Sequence, residues 1–123
     1  MTNEEKTKLG NFRNLIAYAA SESPEVNFME YKTGGGVEGK TYRCLKEDCD
    51  AVSRFAEEKG LSGAHIALVG PACYSWAVAF LGFVCAGCVM VPLAPTEKDD
   101  MNSKLFQFAD CSVFCFDKKH DSL

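Results

Sequence analysis

The run Gly34-Gly-Gly-Val-Glu-Gly39-Lys40-Thr41 carries the strongest chemical signal in this sequence. It matches G-x-x-x-x-G-K-[ST], the spacing at which backbone N–H groups wrap a nucleotide's phosphates and the lysine reaches the terminal ones. Val113-Phe-Cys-Phe-Asp117 resembles the apolar strand and Asp that help to hold Mg²⁺ beside such a loop. The preceding segment argues the other way. A phosphate loop follows a central, buried strand, and Val26–Lys32, VNFMEYK, is half polar. Two short strands around the glycine-rich turn Thr33–Gly39 make a β-hairpin more simply. Three consecutive glycines predict a mobile tip over Gly34–Gly39 that binds no phosphate.

Cys85-Ala-Gly-Cys88 has the C-x-x-C spacing of redox and zinc sites, which need cations or further ligands nearby. Its neighbours are Phe83, Val84, Val89 and Met90, so both thiols read as small buried hydrophobes, as do Cys111 and Cys115. His65 precedes an apolar run and His120 lies in a polar tail. Neither has a Ser, Cys or carboxylate at a catalytic spacing. Glu57-Glu58 and Asp99-Asp100 read as solvated helix ends. No catalytic, cofactor-binding or metal-ligating residue is assigned.

The elements that position these groups follow from the charge and hydropathy pattern. No formal charge occurs from Ile66 to Thr96. A bilayer is crossed by about 20 apolar residues, but Gly70-Pro71, Gly87, Pro92 and Pro95 break this run. The pieces are HIALVG, ACYSWAVAFLGFVCAG and CVMVPL, a β-α-β unit with two buried strands. Trp76, Val78, Phe80, Leu81, Phe83 and Val84 surround its helix on nearly every side, the pattern of a helix enclosed in a larger protein or docked to a partner.

Phe12, Leu15, Ile16 and Ala19 mark an amphipathic helix stopped at Ser21–Pro24, and Asn27–Lys32 alternates as a half-exposed strand. Leu45, Cys49, Val52 and Ala56 form a second helical stripe, with Gly60 at the C-cap. Met101, Leu105 and Phe108 form a third stripe, and Ser112–Phe116 a last strand. The expected order is α-β-β-α-β-α-β-α-β. It implies an α/β fold: a parallel sheet of His65–Val69, Cys88–Val91 and Ser112–Phe116 with flanking helices and right-handed crossovers, plus an N-terminal β-hairpin.

Length and composition bound the function. A chain of 123 residues makes one domain or a piece of one. Nine Phe, four Tyr and one Trp exclude a disordered segment. The net charge of −4, without a basic stripe, argues against nucleic-acid binding. Seven cysteines, an odd number, and an acid-first start without an export signal point to reduced thiols in the cytoplasm.

Five segments in order resemble the adenylate-forming, AMP-dependent synthetase and ligase superfamily over residues 11–117. Lys40-Thr-Tyr-Arg-Cys-Leu45 is similar to its first core motif, [ST]-Y-x-E-L. Gly60 with His65-Ile-Ala-Leu-Val69 is similar to "L-x-x-x-G … V-A-I-x-x". Ser75-Trp76-Ala77-Val78-Ala79-Phe80-Leu81 resembles "E-W-x-x-A-x-L". Phe83–Leu93 resembles the second core motif, "L-K-A-G-x-x-x-V-P-L", and Leu105–Asp117 the "L-x-x-x-L-x-D-S-x-A-K-V-x-x-x-D" that follows it. Cys44 replaces the usual Glu, Ala72 an Asn, Ser75 a Glu and Cys85 a Lys. None of these is a chemical residue in the family.

The resemblance implies the N-terminal part of a longer ligase, most like the fatty-acid–CoA ligases. Such an enzyme joins a fatty acid to ATP, giving an acyl-adenylate, and then passes the acyl group to CoA. The family's phosphate loop, S-G-[ST]-T-G-x-P-K-G, its Mg²⁺-binding Glu, its ribose-binding Asp and its C-terminal Lys all lie beyond the motifs present here. By that comparison residues 1–123 are scaffold, inactive alone, and their partner is the remainder of the ligase. Two readings of other classes stand beside it: a small nucleotide-binding protein using Gly34–Thr41, and a non-enzymatic interaction module.

Overall fold

The computed structural model describes residues 10–94 and 98–116. Its elements are α1 (Phe12–Glu22), β1 (Asn27–Thr33), β2 (Gly36–Thr41), α2 (Tyr42–Glu58), β3 (His65–Val69), α3 (Tyr74–Cys85), β4 (Val89–Leu93), α4 (Asp99–Phe108) and β5 (Val113–Phe116). This is the order the periodicities predict. The fold is α/β. Strands β4-β3-β5 form a parallel sheet, with His65 opposite Val89 and Ile66 opposite Val113, while β1 and β2 form a separate antiparallel hairpin.

Both sheet faces are covered. On one, Ile66 of the central strand packs with Ala56 of α2, Phe83 of α3 and Cys88. On the other, Ala67, Val69 and Leu93 meet Phe106 of α4 and Phe114, whose rings stack at 4.1 Å. Burying the side chains of Ile66, Val69, Phe83 and Leu93 contributes about 1.5–3 kcal/mol each. A third cluster, of Ile16, Leu45, Cys49 and Val78, joins α1, α2 and α3. The charge-free stretch therefore resolves into β3, α3 and β4, and no helix among the described residues is long and apolar enough to cross a membrane.

The caps show why the helices begin and end where they do. The Asn11 side chain accepts from the Asn14 amide at 2.8 Å at the start of α1, and the Thr41 hydroxyl accepts from the Cys44 amide at 3.2 Å at the start of α2. Three helices end on one device, in which two amides reach back to the last turn. After α2, Gly60 N–H donates to Glu57 and Leu61 N–H to Ala56. After α3, Gly87 N–H donates to Val84 and Cys88 N–H to Phe83. After α4, Asp110 N–H donates to Gln107 and Cys111 N–H to Phe106. The pivot residue is left-handed in all three: Gly60 at φ 67°, Gly87 at 85° and Asp110 at 57°. Only the third carries a side chain. Asp110→Gly is therefore expected to raise stability by about 0.5–1 kcal/mol, because glycine adopts this conformation without a Cβ clash. Urea unfolding followed by far-ultraviolet circular dichroism reads the change, and an unchanged or lower midpoint would contradict the strain.

Three expectations are corrected. The turn expected over Thr33–Gly39 is confined to Gly34-Gly35: Thr33 pairs with Gly36, and Gly36–Thr41 continue as strand β2. In α1 only Ile16 of the expected stripe is buried, while Phe12 and Leu15 face outward. In α4 the stripe Met101, Leu105 and Phe108 is exposed, and the inward side chains are Asn102 and Phe106. Asn102 is fully buried, with its Nδ2 donating to the Ala94 carbonyl at 3.1 Å, so a polar residue ties this helix to the end of β4. Asp117 and His120 lie outside the described residues.

Candidate functional site

Ligands of open parallel sheets sit beyond the carboxyl ends of the strands, where successive connections part to opposite sides. Here the chain leaves β3 through α3 to reach β4 on one side, then crosses through α4 to β5 on the other. A crevice lies at the carboxyl ends of β3 and β5. A hollow of about 170 Å³ fills it, walled by Leu68, Val69, Trp76, Cys115 and Phe116. Among the described residues its lining is mostly apolar, with Ser75 at its edge, and holds no charged group. The Trp76 ring stacks on Phe80 one helical turn away, with centroids 5.4 Å apart.

A second hollow, of about 740 Å³, opens between the hairpin and the first turn of α3. Met29, Tyr31 and Lys40 come from the hairpin, and Cys73, Tyr74 and Ser75 from the helix start. The Lys40 ammonium lies 5.3 Å from the centre of the Tyr74 ring, and the Tyr74 hydroxyl donates to Asp48 Oδ2 at 2.5 Å. Burial, then the bond to Asp48, pushes the Tyr74 phenol upward, so it stays protonated. Lys40, Tyr74 and Asp48 thus form a polar seam that holds the hairpin against α2 and α3. Sequence reasoning missed it, because Tyr74 and Asp48 are paired only by the packing of two helices.

The geometry at Gly34–Thr41 is that of a hairpin. A phosphate loop bends its amides around one point, whereas β2 is extended and paired residue for residue with β1 from Gly36 to Lys40. The Lys40 ammonium lies over an aromatic face, and the Thr41 hydroxyl caps α2. The backbone of Gly34–Thr41 therefore does not have the shape of a phosphate loop. Among the described residues no group of three or more Asp, Glu, His or Cys is placed to hold a metal.

The two cysteines of Cys85-Ala-Gly-Cys88 face different surroundings. Cys85 packs against the cluster of Leu45, Cys49 and Val78, and Cys88 lies in the cluster of Ile66 and Phe83, its thiol 3.3 Å from the Leu61 carbonyl. Burial pushes both thiols up, and for Cys85 the nearby Arg13 opposes that shift. Burial raises Cys111 and Cys115 as well. Cys49 is pushed up to about 12, first by burial and then by Cys85, Asp48 and Asp50. A thiolate nucleophile needs the opposite shift. His65 is structural: its Nδ1 lies 3.0 Å from the Ala109 carbonyl at the end of α4. Glu57 pairs with Arg13 at 3.3 Å, and the same guanidinium donates to the Cys85 carbonyl at 2.8 Å, tying α1 to the ends of α2 and α3.

Comparison with known proteins agrees with this fold. The chain superposes on the fatty acyl-adenylate ligase of L. pneumophila, in complex with acyl adenylate and pyrophosphate, with a TM-score of 0.84 at 19% identity, over 99% of this chain and 22% of that one. The N-terminal subdomain of Klebsiella oxytoca NpsA matches with a TM-score of 0.79 at 17% identity, over 89% of this chain and 28% of that one. The nonribosomal peptide synthetase FmoA3 matches with a TM-score of 0.78 at 16% identity, over 92% of this chain and 13% of that one. The chain thus spans between about an eighth and somewhat over a quarter of these three structures. No curated protein matches its sequence. The model of one family, described as AMP-binding enzyme, matches residues 16–122, and by that match over most of its length the chain belongs to the AMP-binding enzymes.

Proposed function

We propose that residues 1–123 form the N-terminal α/β portion of an adenylate-forming ligase of the fatty-acid–CoA ligase type, and that this portion is scaffold. The observation that carries the reading is the family match over residues 16–122, on a chain whose strands β4-β3-β5 form a parallel sheet. The longer enzyme would activate a carboxylic acid with ATP. A carboxylate is a poor electrophile, and adenylation converts its oxygen into a good leaving group. A CoA thiol would then displace AMP to give the thioester. ATP, Mg²⁺, CoA and the acid belong to that longer enzyme, whose remainder is the partner of this portion. The likeness to a fatty acyl-adenylate ligase supports a fatty acid as the substrate, and the cytoplasm is the proposed compartment. The role left to the described residues is to build the sheet and to hold the hairpin and α3 in place through Lys40, Tyr74 and Asp48.

Acyl transfer to AMP requires preorganised donors on the phosphates and neutralisation of the leaving pyrophosphate. The test is pyrophosphate exchange with ATP and a panel of fatty acids, run on the 123-residue chain and on the product of the complete reading frame. The short chain is expected to stay at the no-protein blank, with or without Lys40→Ala, and the complete product to exchange. Exchange by the short chain that is lost on Lys40→Ala would establish the phosphate-loop reading instead. Exchange by the complete product with amino or aryl acids alone would remove the fatty-acid assignment. A reading frame lacking S-G-[ST]-T-G-x-P-K-G beyond Leu123, together with no exchange, would favour an interaction module.

A further inference from the structure

We draw no further inference here: the strongest candidate, the exposed apolar stripe of Met101, Leu105 and Phe108 along the outer face of α4, carries nothing because nothing in the structure shows what covers it.

Discussion

Gly82→Val is expected to destabilise the fold by about 3 kcal/mol or more, enough to consume much of a small domain's stability. Gly82 sits inside α3 where that helix crosses α2. A Cβ placed there would stand 2.5 Å from the Val52 Cβ, 2.7 Å from its Cγ1 and 3.2 Å from the Cys49 carbonyl. Real Cβ atoms do not approach so closely, so the helices would have to separate. Separation would also break the bond that the Ser53 hydroxyl donates to the Gly82 carbonyl at 2.7 Å, leaving Ser53 buried without it. Gly82→Ala is the informative companion. In an exposed helix it would gain about 1 kcal/mol of helix propensity; here it is expected to lose about 1–3 kcal/mol from overpacking. Gly34→Ala, where an added Cβ meets nothing within 4 Å, is the near-neutral control. Urea midpoints of the three variants decide the matter. A Gly82→Ala protein as stable as the parent would show that α2 and α3 do not pack through this glycine.

The second large effect is alkaline. Five thiols, Cys49, Cys85, Cys88, Cys111 and Cys115, are held above their ordinary value of 9.0 by burial. In the unfolded chain they lose their protons near pH 9, while the folded chain keeps them to higher pH. The folded state then binds more protons, and stability must fall as pH rises above about 9. Cys49 alone, moved from 9.0 to about 12, accounts for a loss of the order of 4 kcal/mol by pH 12. Below pH 9 these groups are protonated in both states and contribute no slope. Thermal midpoints recorded from pH 7 to pH 11 should be level and then drop steeply. Cys49→Ala creates a small cavity, so it should lower the plateau at pH 7 and flatten the alkaline drop. A Cys49→Ala profile parallel to the parent's at every pH would remove Cys49 as the cause.

Periodicity reached the strands and the order of elements because those depend on local pattern. The runs expected at His65–Val69 and Ser112–Phe116 are short, apolar and bounded by turn residues, and they form strands over His65–Val69 and Val113–Phe116. The strand expected over Cys88–Val91 instead runs from Val89 through Pro92 to Leu93, because Leu68 and Val69 extend its pairing. The stripe Leu45, Cys49, Val52 and Ala56 faces inward as its spacing requires, because α2 has one sheet and two helices to cover it. The same rule failed for α4. Met101, Leu105 and Phe108 recur at helical spacing just as well, yet the helix turns Asn102 and Phe106 inward. The stacking of Phe106 on Phe114 and the bond from Asn102 to Ala94 set that rotation, and both partners lie on other elements. The triplet of glycines misled in the same way: the ladder from Gly36 to Lys40 outweighs the freedom of the glycines, so the turn shrinks to two residues.

What the sequence by itself determined is the set of elements, their order and the family. Each of these rests on neighbours within one helix turn or one strand, or on motifs in collinear order. Only the tertiary structure decided which helix faces meet the sheet, that Gly82 is a contact point between two helices, and that Lys40 lies over the Tyr74 ring while Tyr74 bonds to Asp48. Those facts join residues far apart in the chain. Their energies come from close packing and desolvation, which exist only once the distant surfaces have met.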